Sequence, residues 1–307
     1  MIKQTHPLID IEIAEHCHDG HRQVQALVEE LLADVTHADC LNHYFVQRET
    51  NQGACRQDMI PWLVFQSICG SEMAEKAIPL ATAWALYLAA AHLMDDAQDN
   101  GRLTSMNESM MTLGAGNLAL AKLAIDEIGL REMLAAMAQV TMLGCHAQLT
   151  ELSHNQAISR SEYFRLIAGK SAALIATGAW LGGRLATTDP TTLQQIKSFG
   201  LALGMAMQIG DDCQDLAEDV TRGVYTLPVI EGLDLIEHPA HSKLVTLLNA
   251  PNLSPEDVSN IVMILDEMGV KKTCQRLIQA YLVQAAAVFS AVPGLKIYFA
   301  DDVLAAL

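Results

Sequence analysis

The sequence predicts an all-α fold, a single-domain helical bundle with long central helices, and three observations carry that prediction. Of the 307 residues, 51% are hydrophobic, 18% charged and only 5% aromatic, and the plentiful Ala, Leu and Met lose little rotamer freedom in a helix. Apolar residues recur with helical period along almost the whole chain, between short turn signals. No stretch has the sustained β-branched alternation of a strand.

Taken in order, turn signals fall at Asn51-Gln52-Gly53, Cys69-Gly70-Ser71, Asp99-Asn100-Gly101, Leu113-Gly114, Ile128-Gly129 and Ser153-His154-Asn155. They continue at Gly182-Gly183, Thr188-Asp189-Pro190, Arg222-Gly223 and Ala250-Pro251-Asn252. The pieces between have the length of a helix or a helix pair. Residues 1–50 are expected to form N-terminal helices and residues 231–307 C-terminal helices of one domain spanning 1–307. Ser254-Pro255-Glu256-Asp257 reads as a helix start, with Ser254 as N-cap, Pro255 at the first position and acids in the first turn. Leu253 and Val258 stand where a hydrophobic staple would put them.

The net charge of −17 excludes a general attraction to nucleic acid. An anionic ligand would need cations to bridge it to such a protein. The seven cysteines are scattered and odd in number, with no CxxC pair, which argues against a disulfide scaffold or zinc site and for a reducing, cytoplasmic setting. Met1 to Glu15 lacks the apolar core of a signal peptide. Ala77 to Met94 carries no charged side chain and has nearly the length of a membrane span. It also holds Pro79, Thr82 and His92 and runs into Asp95 and Asp96, so a buried core helix is expected and no transmembrane segment.

Two acidic segments carry the chemistry. The first is Asp95-Asp96-Ala97-Gln98-Asp99; the second is Asp211-Asp212-Cys213-Gln214-Asp215, continuing to Glu218 and Asp219. Each reads DDxxD at the C-terminal end of an apolar helical run. Residues four apart share a helix face, so Asp95 pairs with Asp99, and Asp211 with Asp215 and Asp219. Carboxylates so close, at a helix end where the dipole also disfavours anions, call for an offsetting cation. Magnesium suits: it takes a few carboxylates, keeps waters and binds phosphate oxygens. One such run reads equally well as a solvated acidic helix end. Two runs, each following an apolar helix, point to two carboxylate clusters facing one cavity.

At these residues the chain resembles the trans-prenyltransferase (polyprenyl synthase) family and its class I terpene synthase relatives, from about Gly53 to Pro228. The stretch from Glu162-Tyr163 through Lys170-Ser171-Ala172 looks like that family's helix bearing a Lys-Thr pair. Ala147-Gln148-Leu149-Thr150-Glu151 is similar to its Gly-Gln-x-x-Asp motif. Phe199-Gly200 through Gln208 leads into the second acidic run as it does in the family, and Thr226-Leu227-Pro228 follows it. The resemblance implies an isoprenoid-synthase-type bundle around a central cavity, a homodimer, and an allylic isoprenoid diphosphate held by three magnesium ions. Asp95 and Asp99 would be metal ligands, as would Asp211 and Asp215; Asp96 and Asp212 would complete the catalytic set. Lys170 would donate to the diphosphate. Read without the family, Lys170 is a lone cation among Leu166, Ile167, Leu174 and Ile175, for which pairing with an acid or reaching to water are equally open.

The cations that resembled chain elongators use for a second diphosphate are largely replaced. Cys55 stands at the Lys of Gly-Gly-Lys-Arg, leaving Arg56; Asp58 replaces a second Arg, Leu88 a His and Val224 a Lys. The expected activity is therefore ionisation of an allylic diphosphate followed by cyclisation or elimination, as in a terpene synthase. A trans-polyprenyl diphosphate synthase or other prenyltransferase with an atypical acceptor site is the alternative, and a non-catalytic subunit of a heteromeric synthase a second one. Gln208, Arg222 and Tyr225 are candidates for contacting the diphosphate near the second motif. Ala90 and Ala91 sit where the family often closes a short pocket with bulky residues. Small side chains there fit a chain of C15 or longer, or simply close helix packing. Trp84, Tyr87, Phe164 and Trp180 suit either a cation-stabilising wall or the core. Met106 to Leu120 is a candidate dimer surface.

Overall fold

Pro61 in the first turn of an apolar run, and Gly70 just beyond its end, frame the helix Ile60–Cys69. The computed structural model describes residues 55–99, 128–153, 158–250 and 252–296, with isolated helical positions at 22–23, 26, 115, 118, 121–122, 125 and 299. The expectations placed on residues 1–50, on the turns at Asn51-Gln52-Gly53 and Leu113-Gly114, and on the dimer surface from Met106 to Leu120 lie almost wholly outside the described residues. Every regular element among the described residues is helical, in agreement with the all-α expectation.

The chain divides into two units, residues 1–138, 177–197 and 291–299 forming one and residues 139–176, 198–290 and 300–307 the other. The first unit holds α1 (Cys55–Asp58), α2 (Ile60–Cys69), a 3-10 stretch (Ser71–Ala77) and α3 (Ile78–Asp99). Among the described residues one helical run, Ser71–Asp95, is long and apolar enough to cross a membrane, with a mean hydropathy of 1.5, yet 72% of its apolar window is buried within protein. Leu80, Ala81, Ala83, Trp84, Ala85, Leu86, Leu88 and Ala89 have no exposed surface. A helix apolar on all sides is accounted for by protein around it. Trp84 stacks on Tyr87 at 5.5 Å between centroids and donates its Nε1 proton to the Gln57 carbonyl at 3.1 Å. Both rings are core.

The remaining helices are α4 (Arg131–Ser153), α5 (Arg160–Ile167), α6 (Ala173–Ala186), α7 (Pro190–Gln214), α8 (Leu216–Arg222), α9 (Leu227–Asp234), α10 (His241–Leu248), α11 (Pro255–Glu267) and α12 (Val270–Ala287). A π-helical turn, Ala168–Ala172, joins α5 to α6. Expected breaks at Gly70, Gly129, Pro190, Gly223 and Ala250 match element ends, while those at Asp99-Asn100-Gly101 and Ser153-His154-Asn155 run outside the described residues. Gly182-Gly183 does not: α6 runs straight through it. Those glycines serve contact, not termination. A Cβ on Gly182 would stand 2.1 Å from the Pro61 carbonyl oxygen, so only a glycine lets α6 and α2 meet there. The start of α11 forms as expected, with a reciprocal capping box between Ser254 and Asp257. Leu253 and Val258 both join the second unit's core, which is built from Tyr163, Ile167, Met205, Ile209, Val220, Leu227, Ile261 and their neighbours. Emptying one such site by Leu→Ala would cost about 2–5 kcal/mol.

Candidate functional site

Gly204 brings α7 against the π turn; a Cβ there would stand 2.7 Å from the Ala172 Cα. This close approach sets the last turns of α7 beside Lys170 and Ser171. A cavity of about 120 Å³ opens in the second unit at this place. Its polar wall includes Glu151, Lys170, Ser171, Gln208, Asp212 and Thr226; its apolar wall includes Ile158, Leu166, Ile167, Val224 and the Tyr225 ring.

The second acidic run forms the end of α7. Helical bonding continues past its last residue, since Asp215 N donates to Asp211 O and Asp219 N to Asp215 O, each at 2.9 Å. Asp211, Asp215 and Asp219 therefore fall on successive turns of one face. Their environments differ. Asp211 and Asp215 are exposed, whereas Asp212 and Asp219 keep only 5% of their surface. Tyr163 Oη donates to Asp212 Oδ2 in a short hydrogen bond. Gln208 Nε2 donates to Asp212 Oδ1 at 2.8 Å, and Ser171 Oγ donates to Gln208 Oε1. One chain of polar contacts thus links α5, α7 and the π turn. Asp219 accepts from Arg222 Nη2 at 3.1 Å and from Thr226 Oγ1 at 3.2 Å.

Burial pushes the Asp212 carboxyl up to about 6, against the Tyr163 and Gln208 hydrogen bonds that lower it, with Asp219 and Asp211 adding to the rise. Asp211 is also pushed up to about 6, first by crowding among protein atoms and then by the charge of Asp215. Asp219 is raised, by burial foremost. The Tyr163 hydroxyl is raised far above its ordinary value by burial and by Asp212, which keeps it a donor. An exposed pair of repelling carboxylates one turn apart is the kind of donor set that a hard divalent cation with water or phosphate as its other ligands can take. Among the described residues no three potential ligands are already gathered, so such an ion would rely on its ligand and waters for the rest.

Lys170 sits at the centre of the π turn, a distortion often found at functional positions. Its Nζ donates to Glu151 Oε2 on α4 at 2.7 Å, the acid partner that the lone-cation reading left open. Tyr225 Oη donates to the Leu248 carbonyl at 3.1 Å, leaving its ring on the cavity wall. Arg222 is engaged by Asp219 and is not among the residues that line the cavity. Cys213 is half-buried against the core that contains Cys274, in keeping with an inward-facing role.

The first acidic run ends α3 in the other unit. Asp95 is half-buried there; the side chains of Asp96, Asp99 and Arg56 lie outside the described residues. Ala90 is buried and Ala91 half-buried. His92 Nδ1 lies 2.8 Å from the Leu88 carbonyl. Leu88 and Asp58, at positions where the resemblance expects a His and an Arg, are both buried. Of the expected site residues, one cavity thus gathers Lys170, Gln208, Asp212 and Tyr225, with Asp211 and Asp215 on the helix that supplies Gln208 and Asp212. Sequence reasoning missed Tyr163, Ser171 and Thr226. The i, i+4 pair Gln208–Asp212 in an apolar run was the available signal for them, because buried polar groups need partners.

A sequence profile described as polyprenyl synthetase matches residues 50–265. The short chain isoprenyl diphosphate synthase of Methanocaldococcus jannaschii is 24% identical over 216 residues, 62% of this chain and 66% of that protein. The enzyme of the same description from Methanothermobacter thermautotrophicus is 24% identical over 138 residues, 41% of this chain and 42% of that protein. The chain therefore aligns with less than two thirds of the length of either relative. The crystal structure of geranylgeranyl pyrophosphate synthase from Corynebacterium glutamicum, complexed with calcium and isoprenyl diphosphate, superposes with a TM-score of 0.79. That alignment covers 96% of this chain and 98% of the other at 22% identity, a likeness of fold. With the profile spanning well over half of its length, this chain belongs to the polyprenyl synthetase family.

Proposed function

We propose that the protein is an isoprenyl diphosphate synthase, which ionises an allylic isoprenoid diphosphate and joins the cation to a second isoprenoid diphosphate. The observation that carries this is the second acidic run, where exposed Asp211 and Asp215 stand on a helix end anchored by buried Asp212. Asp211 and Asp215 hold magnesium, with Asp95 and Asp99 in the same role on the first run. Magnesium held there, three ions by resemblance, would supply positive charge to stabilise the departing diphosphate. Lys170 donates a proton contact to that diphosphate. Asp212, held by Tyr163 and Gln208, fixes the rotation of α7 that turns Asp211 outward. Ile158, Leu166, Ile167 and Val224 exclude water from the allylic cation. Arg56 remains for the acceptor diphosphate, and small Ala90 and Ala91 suit a chain of C15 or longer.

Elongation is favoured over cyclisation or elimination by the matched family and by the relatives' own description as synthases. The test is incubation with magnesium and geranyl, farnesyl or geranylgeranyl diphosphate, with and without isopentenyl diphosphate. A longer diphosphate, formed only when both are present, is expected. Hydrocarbon or alcohol released from the allylic substrate alone would return the reading to a terpene synthase. Turnover that appears only on adding a second protein would make this chain a subunit.

A further inference from the structure

Lys170 is the one Lys or Arg among the described residues lining the cavity, and two acids, Glu151 and Asp212, line it as well. The cation is already engaged. Glu151 Oε2 lies 2.7 Å from Lys170 Nζ, with both side chains half-buried. Asp212 is committed to Tyr163 and Gln208. A bare anion entering here meets a matched ion pair and a second acid, hence no net positive field. A diphosphate carrying divalent cations has shed most of its charge and is repelled far less. Glu151 also departs from the resembled motif, which has the shorter Asp; the extra methylene extends the reach of its carboxylate towards Lys170.

We propose that Glu151 is a specificity-determining residue that makes the site select metal-complexed diphosphate over bare phosphate anions, by occupying Lys170 and holding negative charge beside it. This rests on the reading that Lys170 meets the diphosphate. A bare anion must approach Lys170 against the Glu151 carboxylate. The metal complex approaches the same lysine without that opposition and shares its three ammonium protons with Glu151.

The test is calorimetric binding of inorganic pyrophosphate and inorganic phosphate to the full chain, in EDTA and in saturating magnesium. The wild type should bind pyrophosphate measurably only with magnesium, and phosphate weakly in both. Glu151→Gln should gain about tenfold in pyrophosphate affinity in EDTA, the size of one charge contact, with little change in magnesium. The ratio between the two conditions then falls by the same factor. Glu151→Ala, which leaves no amide to bond Lys170, carries the same expectation should the glutamine variant fold poorly. An unchanged ratio, or weaker binding in both conditions, overturns the proposal and leaves Glu151 as a strut for the lysine. Lys170→Gln separates the two levels. If it binds magnesium pyrophosphate as the wild type does, the parent reading of Lys170 is wrong. If it loses about tenfold while Glu151→Gln keeps the wild-type ratio, only the role of Glu151 fails.

Discussion

Helices α3 and α7 end in the same five-residue pattern and are built on opposite plans. In α3, Thr82 Oγ1 donates to Ile78 O at 2.9 Å and His92 Nδ1 meets Leu88 O at 2.8 Å, both within the helix, while Trp84 Nε1 reaches out singly to the Gln57 carbonyl. In α7 the polar side chains reach other elements, Asp212 to Tyr163 of α5 and Gln208 to Ser171 of the π turn. The first helix is held by apolar burial with a single bond outward from Trp84, the second by burial plus a linked side-chain network. Identical motifs therefore predict different sensitivities. Substitutions in the α7 network should alter both stability and activity, whereas polar changes within α3 should be mild.

The largest expected effect tests whether the exposed carboxylates act and the buried ones position. Asp211→Asn should lower turnover about 10²–10³-fold, as loss of one charge-stabilising contact does at other sites. Its fold should be intact or firmer, because the substitution removes repulsion from Asp215. The sign of the pH dependence follows. In the folded chain Asp211 holds its proton up to about 6, while unfolded aspartate releases it near its ordinary value of about 3.9. The folded state then binds more protons than the unfolded one, so this group's contribution falls as pH rises through that window. In metal-free buffer the stability advantage of Asp211→Asn over wild type should grow from acid pH to about 6 and then level. A variant less stable than wild type at neutral pH would show that Asp211 is held by a favourable contact.

Next in size is the packing of the first unit. Gly182→Ala should destabilise by about 3 kcal/mol or more, since a methyl placed against a backbone carbonyl forces the helices apart. Chemical denaturation measures it. A loss below about 1 kcal/mol would mean that α6 can shift cheaply on α2.

Tyr163→Phe comes third and probes the α7 network directly. It leaves Asp212, buried and short of one donor, so a loss of about 1–3 kcal/mol is expected. Turnover should fall as well, while affinity for the allylic substrate changes less, because the motif is misaligned and Lys170 is untouched. A variant as stable and active as wild type would reduce the network to packing.

How much of this was legible in the sequence depended on whether a feature is local. Helix ends at Pro190, Gly223 and Ser254 are written in residues that act within one turn, and they formed where expected. The second acidic run fell at a helix end for the same reason. Gly182-Gly183 misled because a glycine pair reads as a stop, while its use here depends on the Pro61 carbonyl, more than a hundred residues earlier. The π turn around Lys170 left no mark in residue type, since an extra residue per turn is imposed by packing against α7. The partners of Asp212 come from elements distant in sequence, so spacing could nominate the carboxylate but not say which of two neighbours would be buried.

The smallest expected effect is the sharpest check on the comparison. Thr82→Val keeps the β-branched shape and volume and removes one hydroxyl that bonds only to its own helix's carbonyl in the contact described. The Ile78 carbonyl retains its place in the backbone ladder, and a methyl at this buried position costs no desolvation. The change in unfolding free energy should therefore lie within about 0.5 kcal/mol of zero, with turnover unchanged. A loss approaching that of Tyr163→Phe would mean that α3 carries a directional polar network of its own, and the contrast between the two helices would dissolve.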